Sequence, residues 1–166
     1  SHFAYTGSAI SIGEYPIIGL IDPEAMARMS VGEAITNIMW AKLTRLEDIK
    51  CSANWMWAAK LKGEGANIYK AAVSLRDIMI KLGIAIDGGK DSLSMAAKVF
   101  SKSGREEVVK APGTLVISAY APCLDVRKII TPYIKKPGES KLIYVDIGKG
   151  KYRVGGSAFA YVYRQL

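Results

Sequence analysis

The chain has 166 residues, enough for one ordinary domain; half are apolar and 23% are charged, the composition of a folded segment and not a disordered one. No apolar run nears the roughly 18–20 residues that cross a bilayer, and no secretory leader pattern is read at the start. Two distant cysteines, Cys51 and Cys123, make neither a disulfide framework nor a zinc site, so a soluble, reduced, cytoplasmic protein is expected.

Residues 1–21, with Gly7, Gly13, Pro16 and Gly19, read as loop with short extended pieces. Asp22-Pro23-Glu24 then opens a helix, with Asp22 as cap, Pro23 at the first helical position and Glu24 complementing the dipole. The spacing of Met26, Met29, Ala34, Ile38 and Ala41 predicts a helix over 23–43. Glu33 and Asn37 lie four apart on it and project from one face. A carboxylate and an amide carbonyl so placed are hard oxygen ligands suited to Mg²⁺; an exposed polar stripe or a glutamate–backbone contact is the plain alternative. Residues 52–57 form a dense aromatic segment in which Trp55 and Trp57 are expected in the core, while Asn54 braces a turn or touches a ligand. The two cysteines are expected as small core residues. Gly63-Glu64-Gly65 breaks the chain before a second amphipathic helix carrying Ile68, Ala72, Leu75, Met79 and Leu82, with Gly83 past its end.

Residues 84–86 read as a strand running into a sharp turn at Asp87-Gly88-Gly89. A glycine pair exposes backbone N–H groups, and Lys90 and Ser92 add a cation and a hydroxyl, which suits a phosphate; a glycine turn with ordinary surface charges is the alternative. It is not a Walker A loop, because Ile84 stands at the first glycine position and Asp91 follows Lys90. Residues 93–100 and 114–121 read as strands joined by a hairpin-like excursion around Ser103-Gly104-Arg105. Three prolines mark 122–138 as a linker, 142–147 reads as another strand, and Gly155-Gly156-Ser157 opens a helix still running at Leu166. Phe159-Ala160-Tyr161-Val162 matches the centre of an RNA-recognition strand motif, but its flanks fail. These elements make an α/β domain over 1–138 and the beginning of a second over 139–166, cut from something longer.

The formal net charge of +8 is concentrated at one end: residues 127–166 hold 9 basic and 2 acidic side chains, against 14 and 13 in the rest. Such a segment suits an anionic partner, a solvated surface or a face turned to the rest of a larger protein. The lone His2 leaves no histidine triad or histidine-rich metal site in this chain.

Six stretches, in order and across essentially the whole chain, carry a family likeness. They are Ser11-Ile12-Gly13-Glu14, residues 20–28 (LIDPEAMAR), 31–37 (VGEAITN), 52–58 (SANWMWA), 83–95 (GIAIDGGKDSLSM) and 110–120 (KAPGTLVISAY). Together they resemble the phosphoribosylformylglycinamidine synthase family, in its large single-chain form. The resemblance implies an aminoimidazole-ribotide-synthase-like N-terminal-type domain with a mixed sheet and flanking helices. It would come from the second of two fused ATP-binding copies, followed by the start of a C-terminal-type domain. It further implies Mg²⁺ and ATP or ADP as cofactors, with Glu33 and Asn37 on the metal, Gly88, Gly89 and Lys90 on the nucleotide, and Ser92 on a small-molecule substrate. Lys90-Asp91 stands where the shorter bacterial form has Asn-Val, a departure from the family pattern. No catalytic residue falls in this chain: the other metal carboxylates and the glutaminase cysteine and histidine lie outside it, so it is expected to be inactive alone. The partners implied are the remaining domains of the parent enzyme, with no specific nucleic acid and no membrane. Modules of this superfamily pair through their sheets, so a dimer of the isolated piece is also expected. Another ATP-binding synthase of the superfamily, or a basic nucleic-acid-binding module, are the rival readings. On the first reading the acid–amide pair and the glycine bend converge, in the intact parent, on one set of magnesium-bound phosphates.

Overall fold

The computed structural model describes residues 3–165. Its first element is a strand, β1 (Gly7–Glu14), a full eight residues where the glycine-rich composition predicts loop with short extended pieces. Ala9, Ser11 and Gly13 face inward and alternate with exposed Ser8, Ile10, Ile12 and Glu14. The strand is hidden in sequence because its inward side is built of small residues, not the usual large β-formers. A short helix α1 (Pro16–Gly19) follows, then α2 (Pro23–Ile38). The Asp22 side chain caps α2 as expected, accepting the Ala25 N–H at 2.9 Å. The helix ends at Ile38 and not at 43, because the chain turns there and brings Leu43 into a bridge with Cys123.

The aromatic segment is a strand, β2 (Lys50–Met56), followed by α3 (Glu64–Leu82) and β3 (Ala85–Ser92). Gly83 takes φ 68 and stops α3, its N–H returning to Ile80 and that of Ile84 to Met79. β2 and β3 pair in parallel through the α3 crossover. β4 (Ala96–Phe100) and β5 (Glu106–Lys110) form a separate hairpin turning at Gly104, and β6 (Thr114–Cys123) returns to the main sheet. The sheet order is β1-β6-β2-β3, antiparallel except for the last pair. This is a mixed α/β fold with helices α2 and α3 on one face.

The core lies between that face and the helices. Met26, Ala27, Val31, Ala34 and Ile38 of α2 meet Cys51, Ala53, Leu115, Ile117 and Ala119 of the sheet, with Trp57 at one end. Both cysteines and Trp57 are core residues as expected, while Trp55 is half-buried. Helix α2 sits unusually low: a Cβ on Gly13 would stand 2.1 Å from the Ser30 carbonyl and 2.4 Å from the Ala34 nitrogen. Ser11 donates to the Ala34 carbonyl at 2.6 Å, and the one Ser30 hydroxyl proton lies between the Met26 carbonyl of its own helix at 3.0 Å and the Leu115 carbonyl of the sheet at 3.1 Å. The opposite face of the sheet is open, with Ile10 73% and Ile12 56% exposed.

After Cys123 the described residues contain no further strand. The linker segment is nonetheless tied to the body: Val126 N–H donates to Tyr5, Ile130 N–H to Trp40, and the Arg127 guanidinium lies 3.5 Å over the Tyr5 ring. Residues 142–147, expected as a strand, are irregular, and Leu142, Ile143, Tyr144, Val145 and Ile147 are all largely exposed. Strand propensity without a partner ladder leaves backbone groups to water, and residues 142–147 pair with no strand among the described residues. The final helix, α4 (Ala158–Val162), is capped by Ser157 and stops at Tyr163, well short of Leu166, which lies outside the described residues, as does His2.

The close seat of α2 yields a paired test by thermal denaturation of the full-length protein. Gly13→Ala is expected to cost about 2–3 kcal/mol, because its methyl group meets helix backbone that cannot yield. Gly32→Ala, on the same helix but facing open space, is expected to stabilise by up to about 1 kcal/mol.

Candidate functional site

β1 is the outermost strand, so every second residue turns its backbone N–H and C=O away from β6 with no strand to meet them. Glu33 and Asn37, one turn apart on α2, reach over this edge. Glu33 Oε2 accepts the Glu14 N–H at 2.7 Å, and Asn37 Nδ2 donates to the Ile12 carbonyl at 3.0 Å. The half-buried Glu33 thus has its partner, a backbone amide of the neighbouring strand. Each side chain uses one polar atom in this way and keeps one oxygen, Glu33 Oε1 or Asn37 Oδ1, outside those bonds. Two hard oxygens suit Mg²⁺, which takes few protein ligands. Among the described residues no three His, Cys, Asp or Glu side chains gather to hold a metal ion. A cavity of about 280 Å³ lies beside Asn37, lined also by Ser8, Ile10, Trp40, Val126 and Ile129.

Asp87-Gly88-Gly89 is not a turn. All three lie within β3, on the other edge of the sheet. Cys51 pairs with Ile86 but the next residue, Ser52, pairs with Gly88, so Asp87 is an extra residue in a β-bulge. Its carboxylate accepts the Tyr120 hydroxyl from β6, and this bond, with burial second, holds the phenol above its ordinary pKa. Beyond the bulge, Gly88, Lys90 and Ser92 pair with Ser52, Asn54 and Met56 on the open face. Gly89 faces the other way, where a Cβ would stand 2.3 Å from the Ala53 carbonyl. Asn54, expected at a turn or a ligand, is therefore a strand residue beside Lys90.

The acid–amide pair and the glycine pair do not converge within this chain. They stand at opposite edges of a four-stranded sheet, three interstrand steps and so roughly 14 Å apart. One is reached from the helix-covered side and the other opens on the bare face. The arrangement offers two separate places for ligands, not one.

Sequence reasoning passed over a third group. Glu64, in the first turn of α3, is buried; its Oε2 accepts the Trp57 Nε1–H at 2.8 Å and its Oε1 pairs with Lys110 at the end of β5. The Gly113 backbone lies against the Trp57 ring. The cluster ties the β4–β5 hairpin to the core, and its one sequence signal was a glutamate between two helix-opening glycines. Cys51 is no nucleophile: burial pushes its thiol up to about 11.

A family model described as the FGAR-AT PurM_N-like domain matches residues 1–122. The chain belongs to that family. It is 53% identical to a phosphoribosylformylglycinamidine synthase of Dictyostelium discoideum over 99% of this chain and 12% of that protein. It is 59% identical to a probable chloroplastic/mitochondrial phosphoribosylformylglycinamidine synthase of Arabidopsis thaliana, over 97% and 11%, and 50% identical to the Homo sapiens synthase, over 100% and 12%. The chain thus spans about one eighth of the length of these curated relatives. Among solved structures, PurLQS from Thermotoga maritima aligns with a TM-score of 0.56 at 16% identity, over 76% of this chain and 19% of that one. T. maritima PurL complexed with ATP aligns equally well, at 16% identity over 77% and 20%. These structures share the fold, the mixed sheet with flanking helices.

The Glu64 cluster gives a contrast measurable by denaturation. Glu64→Ala is expected to cost about 2–3 kcal/mol, since it leaves a buried indole N–H unpaired. Lys110→Met, whose side chain is 46% exposed, is expected to cost less than about 1 kcal/mol.

Proposed function

We propose that this chain is one ATP-binding-module domain of a phosphoribosylformylglycinamidine synthase, from its second copy, with residues 139–166 beginning the next domain. The reading is carried by 50–59% identity to proteins of that name over 97–100% of the chain. The parent is an ATP- and glutamine-dependent C–N ligase of purine biosynthesis, and its remaining domains are this chain's partners. The chain alone turns nothing over.

In the parent, the amide oxygen of formylglycinamide ribonucleotide attacks the γ-phosphorus of ATP, and ADP leaves. Ammonia released from glutamine then adds to the activated carbon, and phosphate departs with the oxygen to leave the amidine. Charge builds on phosphoryl oxygens, so fixed N–H groups and cations lower the barrier. At the β1 edge, Mg²⁺ would neutralise the phosphates of an auxiliary, structural nucleotide that the enzyme retains. Glu33 Oε1 and Asn37 Oδ1 would hold two of its positions, with the Glu14 N–H and Ile12 C=O fixing both side chains. Across the sheet, Gly88, Gly89 and Lys90 meet nucleotide phosphate and Ser92 meets the small-molecule substrate. The bare sheet face around Ile10 and Ile12 is covered by the rest of the parent and self-pairs when the piece is isolated. The basic 127–166 segment faces solvent or the rest of the parent enzyme, with no nucleic acid involved. The parent is cytoplasmic on this reading; no helix among the described residues is long and apolar enough to cross a membrane.

Two assays on the full-length protein test this. Supplied with glutamine, ATP and the formyl amide, it is expected to accumulate ADP and glutamate one for one; ATP turnover indifferent to glutamine would refute the ligase reading. Glu33→Ala is expected to strip retained nucleotide and lower the melting temperature more than it slows turnover. A Glu33→Ala protein that keeps both its nucleotide and its melting temperature would end the metal assignment.

A further inference from the structure

A strand alternates its side chains between two faces, so one extra residue flips every residue after it. In β3 the extra residue is Asp87. With it, Lys90 pairs with Asn54 and Ser92 with Met56, both on the open face. Without it, Lys90 would come opposite Trp55, on the side that α2 and α3 cover, and Ser92 would follow to the same side.

At the Ala53 carbonyl, sterics admit either register. The position over the Ala53 carbonyl has no room for a Cβ, and Gly89 fills it. If the bulge closed, Gly88 would take that position and fit equally well. A diglycine thus permits both alignments, and something else must hold the bulge. The open face supplies it: Tyr120 on β6, level with Lys50 of β2 and Ala85 of β3, reaches across the sheet and donates to Asp87. A hydrogen bond spanning two strands to the one unpaired residue fixes where the extra residue sits.

We propose that Tyr120 and Asp87 form a register clamp that sets the face on which Lys90 and Ser92 emerge, which makes both of them positioning residues for the segment Gly88 to Ser92. The clamp's consequence for binding rests on the reading of that segment as a phosphate and substrate contact. Its consequence for register does not.

The test uses the full-length protein with Tyr120→Phe, Asp87→Ala and the two combined, alongside Lys90→Ala and Ser92→Ala. Hydrogen exchange over residues 85–92 reads register directly, and KM against kcat reads positioning. Tyr120→Phe, which keeps the ring, is expected to speed exchange in that segment about fivefold to tenfold and to raise KM by a similar factor, with kcat changed less than about twofold. Asp87→Ala is expected to match it, and the double variant to be no worse than either single one, since both remove the same bond. Unchanged exchange in Tyr120→Phe, or effects that add in the double variant, would overturn the clamp. If Lys90→Ala and Ser92→Ala leave KM alone while exchange responds as expected, the clamp holds and the binding role of the segment is what fails.

Discussion

Everything in this domain is placed by how closely helix α2 lies on the sheet. The floor beneath it is Ala9, Ser11 and Gly13 of β1 with Leu115 and Ile117 of β6, and at Gly13 helix and strand backbones approach within a distance no side chain allows. Two serine hydroxyls then bond helix to sheet at buried positions, Ser11 to Ala34 and Ser30 to Leu115. A buried Ser11 hydroxyl without its partner would be costly, so that bond favours one depth and one rotation of the helix. That rotation brings Glu33 and Asn37 over the free edge of β1.

Edge strands leave rows of unmet backbone groups, and proteins close them in various ways. Here two side chains close the edge at Ile12 and Glu14 while each keeps an oxygen for other use. A structural and a ligand-binding role for the same pair are therefore compatible. The backbone bonds hold both side chains in place, which would lower the ordering cost of any coordination by them. The opposite edge works differently. β3 carries its functional candidates on a bulged strand whose Gly89 admits the β2 backbone closely, and whose register depends on a bond from two strands away.

Much of this was readable from residues alone, and the failures have physical causes. Asp22-Pro23-Glu24 and Gly83 marked the helix boundaries because capping chemistry is local. The extent of β1, beyond the short extended pieces its sequence suggests, is hidden because its inward side chains are small to suit α2, a tertiary demand that strand propensity does not encode. The bulge at Asp87 was read as a turn because a glycine pair after a short apolar run looks the same in both cases; pairing register is not a local property. Residues 142–147 have strand composition but no ladder here, so propensity overstated them. Of the candidate site, Glu33 and Asn37 were correctly put on one helix face, but their distance from Gly89 depends on strand order, which the sequence does not display.

The central claim is that α2 presents Glu33 Oε1 and Asn37 Oδ1 as two ready ligands while their other atoms stay on β1. Anomalous scattering from a crystal of the full-length protein grown with Mn²⁺ and nucleotide would decide it. The account requires a metal peak about 2.1 Å from both oxygens, with the bonds to Glu14 and Ile12 still in place. A well-occupied metal bound by other groups, with Glu33 and Asn37 engaged on β1 alone, would contradict it.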